Sequence, residues 1–175
     1  LGEYFIFANF LNIFSLYNVY YMKIGLIGSG GREHALCYFL HQSKKIDKIF
    51  CIPGNAGTSL IAENLLIDIN NFDEIKRIIS QKKIDLVVIG PEKPLVDGLV
   101  DYLEKNNIKV FGPNKTASQL EGSKIFTKKL CKKYNIPTAK FGIFENFESA
   151  ESFLNNTIYP IVIKADGLAS GKGVY

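Results

Sequence analysis

The sequence predicts an α/β fold built on a doubly wound parallel sheet. Three observations carry that expectation. Short, mostly apolar runs recur at residues 23–27, 48–52, 84–89 and 108–111, as strands do when both faces of a sheet are covered. Stretches with helical spacing lie between them. Each run is followed by a loop rich in Gly, Pro, Asn or Glu, so strands alternate with helices and their carboxyl-end loops are expected to converge on one crevice.

The first run begins just after Met22 and holds Gly25, which lets another backbone approach closely. Gly28, Ser29, Gly30 and Gly31 then form a tight turn that leaves N–H groups uncovered. Residues 32–40 resume helical spacing, with Ala35, Leu36 and Phe39 expected on one side. A glycine turn feeding a helix N-terminus is an anion site, because the free N–H groups and the helix dipole point the same way. A phosphate-bearing ligand is therefore expected at the end of the first strand.

The second run ends in Pro53-Gly54-Asn55-Ala56-Gly57-Thr58, a cluster of turn residues. Residues 65–68 read as a short edge strand. Residues 71–81 read as an amphipathic helix with Phe72, Ile75, Ile78 and Ile79 inward. The run at 84–89 leads into the loop Gly90-Pro91-Glu92-Lys93-Pro94, and residues 95–105 read as one helix. After Gly112-Pro113-Asn114 the pattern shifts. Residues 118–134 read as one or two lysine-rich helices, stopped by Asn135-Ile136-Pro137. A strand at 138–143, a helix at 147–154 and a buried strand at 161–164 follow.

A second glycine-rich loop covers Ala165, Asp166, Gly167, Leu168, Ala169, Ser170, Gly171, Lys172 and Gly173. Lys164 ends the preceding strand, and a buried ammonium needs an anion. A flexible loop with free N–H groups and a cation suits nucleotide phosphates; a hairpin turn with surface lysines explains Lys172 but not Lys164. The chain stops at Tyr175 as the next strand would begin, so a truncated piece is expected.

Composition narrows the class. The chain has 175 residues, 47% of them hydrophobic, and a net charge of +4. The basic residues are scattered and no basic stripe is interleaved with aromatics, which argues against nucleic-acid binding. Cys37, Cys51 and Cys131 are far apart. Buried free thiols are expected at Cys37 and Cys51, in a reducing, cytoplasmic setting.

Residues 1–21 differ from the rest. They are rich in Phe, Tyr, Leu and Asn, and Glu3 is their only charge. They are near the roughly 17-residue minimum of a membrane span. They lack the positive flank of a signal peptide. The chain's only methionine, Met22, stands just before the first strand. Translated upstream sequence is expected here in preference to an anchor, so membrane attachment is not.

Two familiar phosphate motifs fail. Gly28-Ser29-Gly30 supplies the first half of the dinucleotide fingerprint, but Glu33 stands at its third glycine. A glutamate there is expected to hinder close helix–strand packing, and no acidic residue closes the second strand. Neither loop has Walker A spacing.

From Met22 onward the chain resembles the N-terminal part of the phosphoribosylamine–glycine ligase (glycinamide ribonucleotide synthetase) family, within the ATP-grasp superfamily. The resemblance rests on Gly28-Ser29-Gly30-Gly31-Arg32-Glu33-His34-Ala35, Pro53-Gly54-Asn55-Ala56-Gly57-Thr58, Gly90-Pro91-Glu92 with Pro94-Leu95-Val96, and Phe111-Gly112-Pro113. It continues through Gln119-Leu120-Glu121-Gly122-Ser123-Lys124, Phe126-Thr127-Lys128, Ile136-Pro137-Thr138-Ala139 and residues 161–174. Only residues 1–21 stand outside it.

The resemblance implies a Rossmann-like pre-ATP-grasp domain at 22–122 and the start of an ATP-grasp domain at 123–175. It implies ATP-dependent ligation of glycine to 5-phosphoribosylamine through a glycyl phosphate in purine biosynthesis. The substrate side is assigned Gly28, Ser29, Gly30, Gly31, Arg32, Asn55, Gly57, Thr58, Glu92 and Pro94. ATP is assigned Lys124, Lys164, Gly167, Ala169, Ser170, Gly171, Lys172 and Gly173. Arg32 stands as a second cation or as a partner of Glu33. Glu92 orients ribose hydroxyls or the amine, or favours a helix end. His34 is expected to pack or hydrogen-bond, not to act as a base. The implied Mg2+ (or Mn2+) takes its ligands outside these residues, which hold no assured catalytic group. The fragment alone is expected to be inactive, and the whole protein monomeric. Another ATP-grasp ligase or a non-catalytic nucleotide-binding module remain the alternatives.

Overall fold

The computed structural model describes residues 21–169 and 172–175. The anchor-or-upstream reading of the N-terminal segment and the nucleotide roles of Ser170 and Gly171 lie outside the described residues. The chain divides into two compact units: the chain up to Gly90 together with Ile108–Phe111, and Pro91–Asn107 together with Gly112–Tyr175.

The first unit is a five-stranded parallel sheet. Its strands are β1 (Met22–Gly28), β2 (Ile46–Pro53), β3 (Glu63–Asn64), β4 (Leu86–Ile89) and β5 (Val110–Phe111), in the order β3-β2-β1-β4-β5. Helix α1 (Gly31–His41) joins β1 to β2 and α2 (Phe72–Lys82) joins β3 to β4. The strand order reverses between β1 and β4, and such a switch point opens a crevice at the carboxyl ends. The register keeps those ends level: Gly28 pairs with Pro53, and Ile27 with Ile89.

Ile24, Leu26, Cys37, Ile49 and Cys51 form one buried cluster. In β1 a side chain on the intervening Gly25 would crowd Ile84 and touch Val87. Helix α2 buries Ile75, Ile78 and Ile79, and the Asn71 side chain caps it by accepting the Glu74 N–H. The strand expected at 65–68 forms two residues earlier. There Glu63 pairs with Lys48 at 2.5 Å and Lys82 at 2.7 Å, both ammoniums lying over the Phe50 ring.

Helix α1 turns a different face inward from the one its apolar residues suggest. Glu33 and Cys37 are buried, one turn apart, while Ala35, Leu36 and Phe39 are exposed. Nor does Glu33 hinder packing, because glycines around it leave a slot for its side chain.

The second unit is helical: α3 (Glu92–Asp97), α4 (Leu99–Lys105), α5 (Lys115–Gly122), α6 (Lys124–Lys133) and α7 (Phe147–Asn155). The single helix expected over 95–105 is broken by Gly98, whose φ of +99° caps α3. Asn114, Ser123 and Asn146 cap α5, α6 and α7 through their side-chain oxygens. Residues 138–143 form no strand. The strand expected at 161–164 is an exposed ribbon, with Ile163 and Tyr175 exchanging both backbone hydrogen bonds and the Ala165 N–H reaching the Gly173 carbonyl. Lys164 is exposed there, not buried at a strand end. Among the described residues no helix is long and apolar enough to cross a membrane.

Candidate functional site

In the first unit, the loops after β1, β2 and β4 come together. Gly28 ends β1 with φ +128°, a conformation few side chains tolerate, and its carbonyl accepts the Gly54 N–H at 3.1 Å. The Gly90 N–H donates to the Ile27 carbonyl at 3.1 Å. The Asn55 side chain donates to the carbonyls of Ser29 (2.9 Å) and Gly30 (3.2 Å), tying the second loop to the first.

Asn55 is fixed in turn by Thr58. The Asn55 N–H donates to Thr58 Oγ1 at 2.8 Å, and the Thr58 N–H donates to Asn55 Oδ1 at 2.9 Å. The Thr58 hydroxyl reaches Asn64 Oδ1 at 2.8 Å, with the Asn55 carbonyl at 3.0 Å as the other acceptor. Asn64 Nδ2 closes the knot on the Asn55 carbonyl at 2.7 Å. Thr58 is fully buried, so its hydroxyl serves this knot. Gly57 lies against the His34 ring, where a side chain would collide. Ser29, Gly31 and Arg32 are exposed.

Sequence reasoning gave Glu33 no site role. It is 3% exposed, and its Oε2 accepts the Gly30 N–H at 2.6 Å. Its Oε1 is buried with no hydrogen-bond partner among the described residues. The signal was present, since a glutamate three residues after a helix cap reaches back to the cap N–H.

Glu92 and Pro94 belong to the second unit. Both sit in the first turn of α3; Glu92 is half-buried and Pro94 fully buried. The same unit assembles the second glycine loop. Gly167 (φ +92°) and Gly173 (φ +69°) use conformations open mainly to glycine. Lys124 Nζ donates to the Gly167 carbonyl at 2.8 Å. The Lys172 N–H donates to the Ala169 carbonyl at 2.7 Å, and Lys172 itself is exposed.

Asp166, also passed over in the sequence, anchors this loop. Its carboxylate accepts the Ile125 N–H at 3.1 Å and the Ser123 hydroxyl at 3.0 Å. Desolvation raises its pKa, but the Ile125 N–H, the Ser123 hydroxyl and the N–H groups of Gly167 and Lys124 outweigh that. The carboxyl therefore titrates below its ordinary 3.8. Among the described residues no three of His, Cys, Asp and Glu converge as a metal site would need.

The family model for the phosphoribosylglycinamide synthetase N domain matches residues 22–121, and that for the ATP-grasp (A) domain of the same enzymes matches 122–175. The chain belongs to the phosphoribosylglycinamide synthetase family. A curated phosphoribosylamine–glycine ligase of Caldanaerobacter subterraneus is 49% identical over 88% of this chain. One of Mesorhizobium japonicum is 52% identical over 87%. The chain spans only 37% and 36% of these synthetases' lengths. The crystal structure of the Thermotoga maritima phosphoribosylamine–glycine ligase superposes with a TM-score of 0.68 at 34% identity, over 87% of this chain and 35% of that one. In this synthetase family the chain is thus an N-terminal stretch: a Rossmann-like sheet, then the opening of an ATP-grasp domain.

Proposed function

We propose that the whole protein ligates glycine to 5-phosphoribosylamine at the expense of ATP, giving glycinamide ribonucleotide, ADP and phosphate. The observation that carries this reading is the match to both synthetase domains, in order and without a gap, over residues 22–175. The identities of 49% and 52% to curated ligases support it.

The chemistry sets two tasks. A glycine carboxylate is a poor electrophile until one oxygen becomes a leaving group, so that oxygen takes the γ-phosphoryl group of ATP and ADP departs. The amine then attacks the carbonyl carbon, its C–O bond breaks, phosphate leaves and the nitrogen gives up a proton. The protein's work is to hold the partners close and to offset phosphoryl charge.

Lys124, Lys164 and Lys172 supply positive charge to the nucleotide phosphates, and the glycine loop from Gly167 through Ala169, Ser170 and Gly171 to Gly173 lends backbone N–H groups. Asp166 fixes the start of that loop on the N-terminus of α6. The crevice of the first unit takes the phosphoribosylamine, with Gly28, Ser29, Gly30, Gly31 and Arg32 on one loop and Asn55, Gly57 and Thr58 shaping the next. Glu92 and Pro94, in the second unit, are assigned to the same substrate. The Mg2+ or Mn2+ that accompanies ATP offsets phosphoryl charge when bound. Its ligands are assigned to parts of the protein beyond these residues. The protein works as a cytoplasmic monomer, and residues 1–175 alone do not turn over.

ADP release by the protein expressed from its whole gene tests the reading. Glycine and freshly made phosphoribosylamine are supplied separately and together with MgATP. Release only with both is expected. No release in any of the three mixtures, from a folded protein that binds ATP, removes the glycine ligase and leaves an ATP-grasp enzyme with another acceptor.

A further inference from the structure

The glycine loop after β1 has the form of a phosphate site, but its anion position is filled from within. In loops of this kind, the N–H groups at the helix N-terminus point at a bound anion. Here the Gly30 N–H points at Glu33 Oε2, 2.6 Å away. The sequence clears room for that carboxylate. A side chain at Gly28, Gly30 or Gly90 would run into Glu33, so three glycines from the loops after β1 and β4 share one tenant.

The second oxygen gives the tenant a use. Oε1 lies beside Gly90, at the switch point between β1 and β4, buried and without a hydrogen-bond partner among the described residues. An unmatched buried carboxylate oxygen is costly unless a donor meets it. A phosphate brought to the same place would meet a like charge in a site sheltered from water.

We propose that Glu33 sets the specificity of this loop: it is a resident anion that excludes phosphate and accepts a hydrogen bond from an amine or hydroxyl of the substrate. Naming that donor as part of phosphoribosylamine rests on the function proposed above; the exclusion of phosphate does not. The substrate's phosphate then binds away from residues 28–31.

Selective [15N]glycine labelling of the protein from its whole gene reads Gly28, Gly30 and Gly31 directly. Inorganic phosphate and ribose 5-phosphate are titrated separately into the wild type and into Glu33→Ala, which removes the carboxylate and empties the slot that holds it. In the wild type, millimolar phosphate is expected to leave the three amides unmoved while ribose 5-phosphate shifts them. In Glu33→Ala, phosphate is expected to shift them with at least tenfold tighter binding, and ribose 5-phosphate to bind at least tenfold more weakly through the loop. Saturable shifts with phosphate in the wild type overturn the proposal, and that arm needs no variant. No response to phosphate in either folded protein also overturns it, because removing the charge then opens nothing. If phosphate behaves as expected and ribose 5-phosphate moves no loop amide in the wild type, the substrate assignment fails and the resident anion stands.

Discussion

Asn55 and Thr58 bind each other reciprocally, each backbone N–H meeting the other's side-chain oxygen at 2.8 and 2.9 Å. Asn55 can therefore spend its side-chain NH2 on the carbonyls of Ser29 and Gly30, and the loop after β2 fixes the loop after β1. Thr58→Val keeps the shape and deletes the hydroxyl. It leaves the Asn55 N–H and Asn64 Oδ1 without their partner. Unmatched buried polar groups cost about 1–3 kcal/mol, so urea unfolding is expected to show a loss of about that size. Asn55→Ala is expected to raise KM for phosphoribosylamine more than it lowers kcat, because it loosens a binding loop.

Lys124 reaches the Gly167 carbonyl at 2.8 Å and so sits at the start of the second glycine loop. A hydrogen bond to a charged group contributes about 1.5–3 kcal/mol, which is about a 10- to 150-fold change in affinity. Lys124→Ala is expected to raise KM for ATP within that range and leave KM for glycine nearly unchanged. Equal effects on both substrates would show that Lys124 acts through the fold.

The sequence made the sheet legible and parts of the site illegible, for separable reasons. The strands at β1, β2 and β4 stand out because their apolar runs are continuous. The face of α1 does not, because the inward residue is charged: Glu33 goes in where three glycines leave room, and Phe39 stays out at 69% exposure. Periodicity cannot see such a slot, which is made by residues 28, 30 and 90 meeting in space. Lys164 misled for the opposite reason. Its run of Ile and Val looks buried, yet Val162 and Ile163 are 65% and 51% exposed. Asp166 and Asn55 act through hydrogen bonds to distant backbone, which composition does not encode.

Asp166 supplies a pH dependence with a definite sign. Its folded-state pKa lies below the ordinary 3.8, so its contribution is fully present above that value and is lost as pH falls through the lowered one. Asp166→Asn is expected to remove this acid-side stabilisation of the loop and to raise KM for ATP near neutral pH. The group is exposed, so added salt is expected to shrink the stability effect. An unchanged acid-unfolding profile in Asp166→Asn would contradict the assignment.

The cysteines should divide by reactivity. Cys37 and Cys51 are buried with their sulfurs 3.7 Å apart. Burial, then the neighbouring Cys37 sulfur, pushes the Cys51 thiol up to about 12, and burial raises Cys37 as well. Thiolates are the reactive form, so a thiol reagent at mildly alkaline pH is expected to modify the part-exposed Cys131 alone. Mass spectrometry reads the labelled site, and unfolding should release the other two.

In the proposed function glycine is activated as an acyl phosphate. Glycine labelled with 18O in its carboxylate is incubated with MgATP, phosphoribosylamine and the protein expressed from its whole gene. One 18O per turnover is expected in inorganic phosphate, because the oxygen that accepts the phosphoryl group leaves with it. Phosphate formed at the same rate without 18O would rule out a glycyl phosphate.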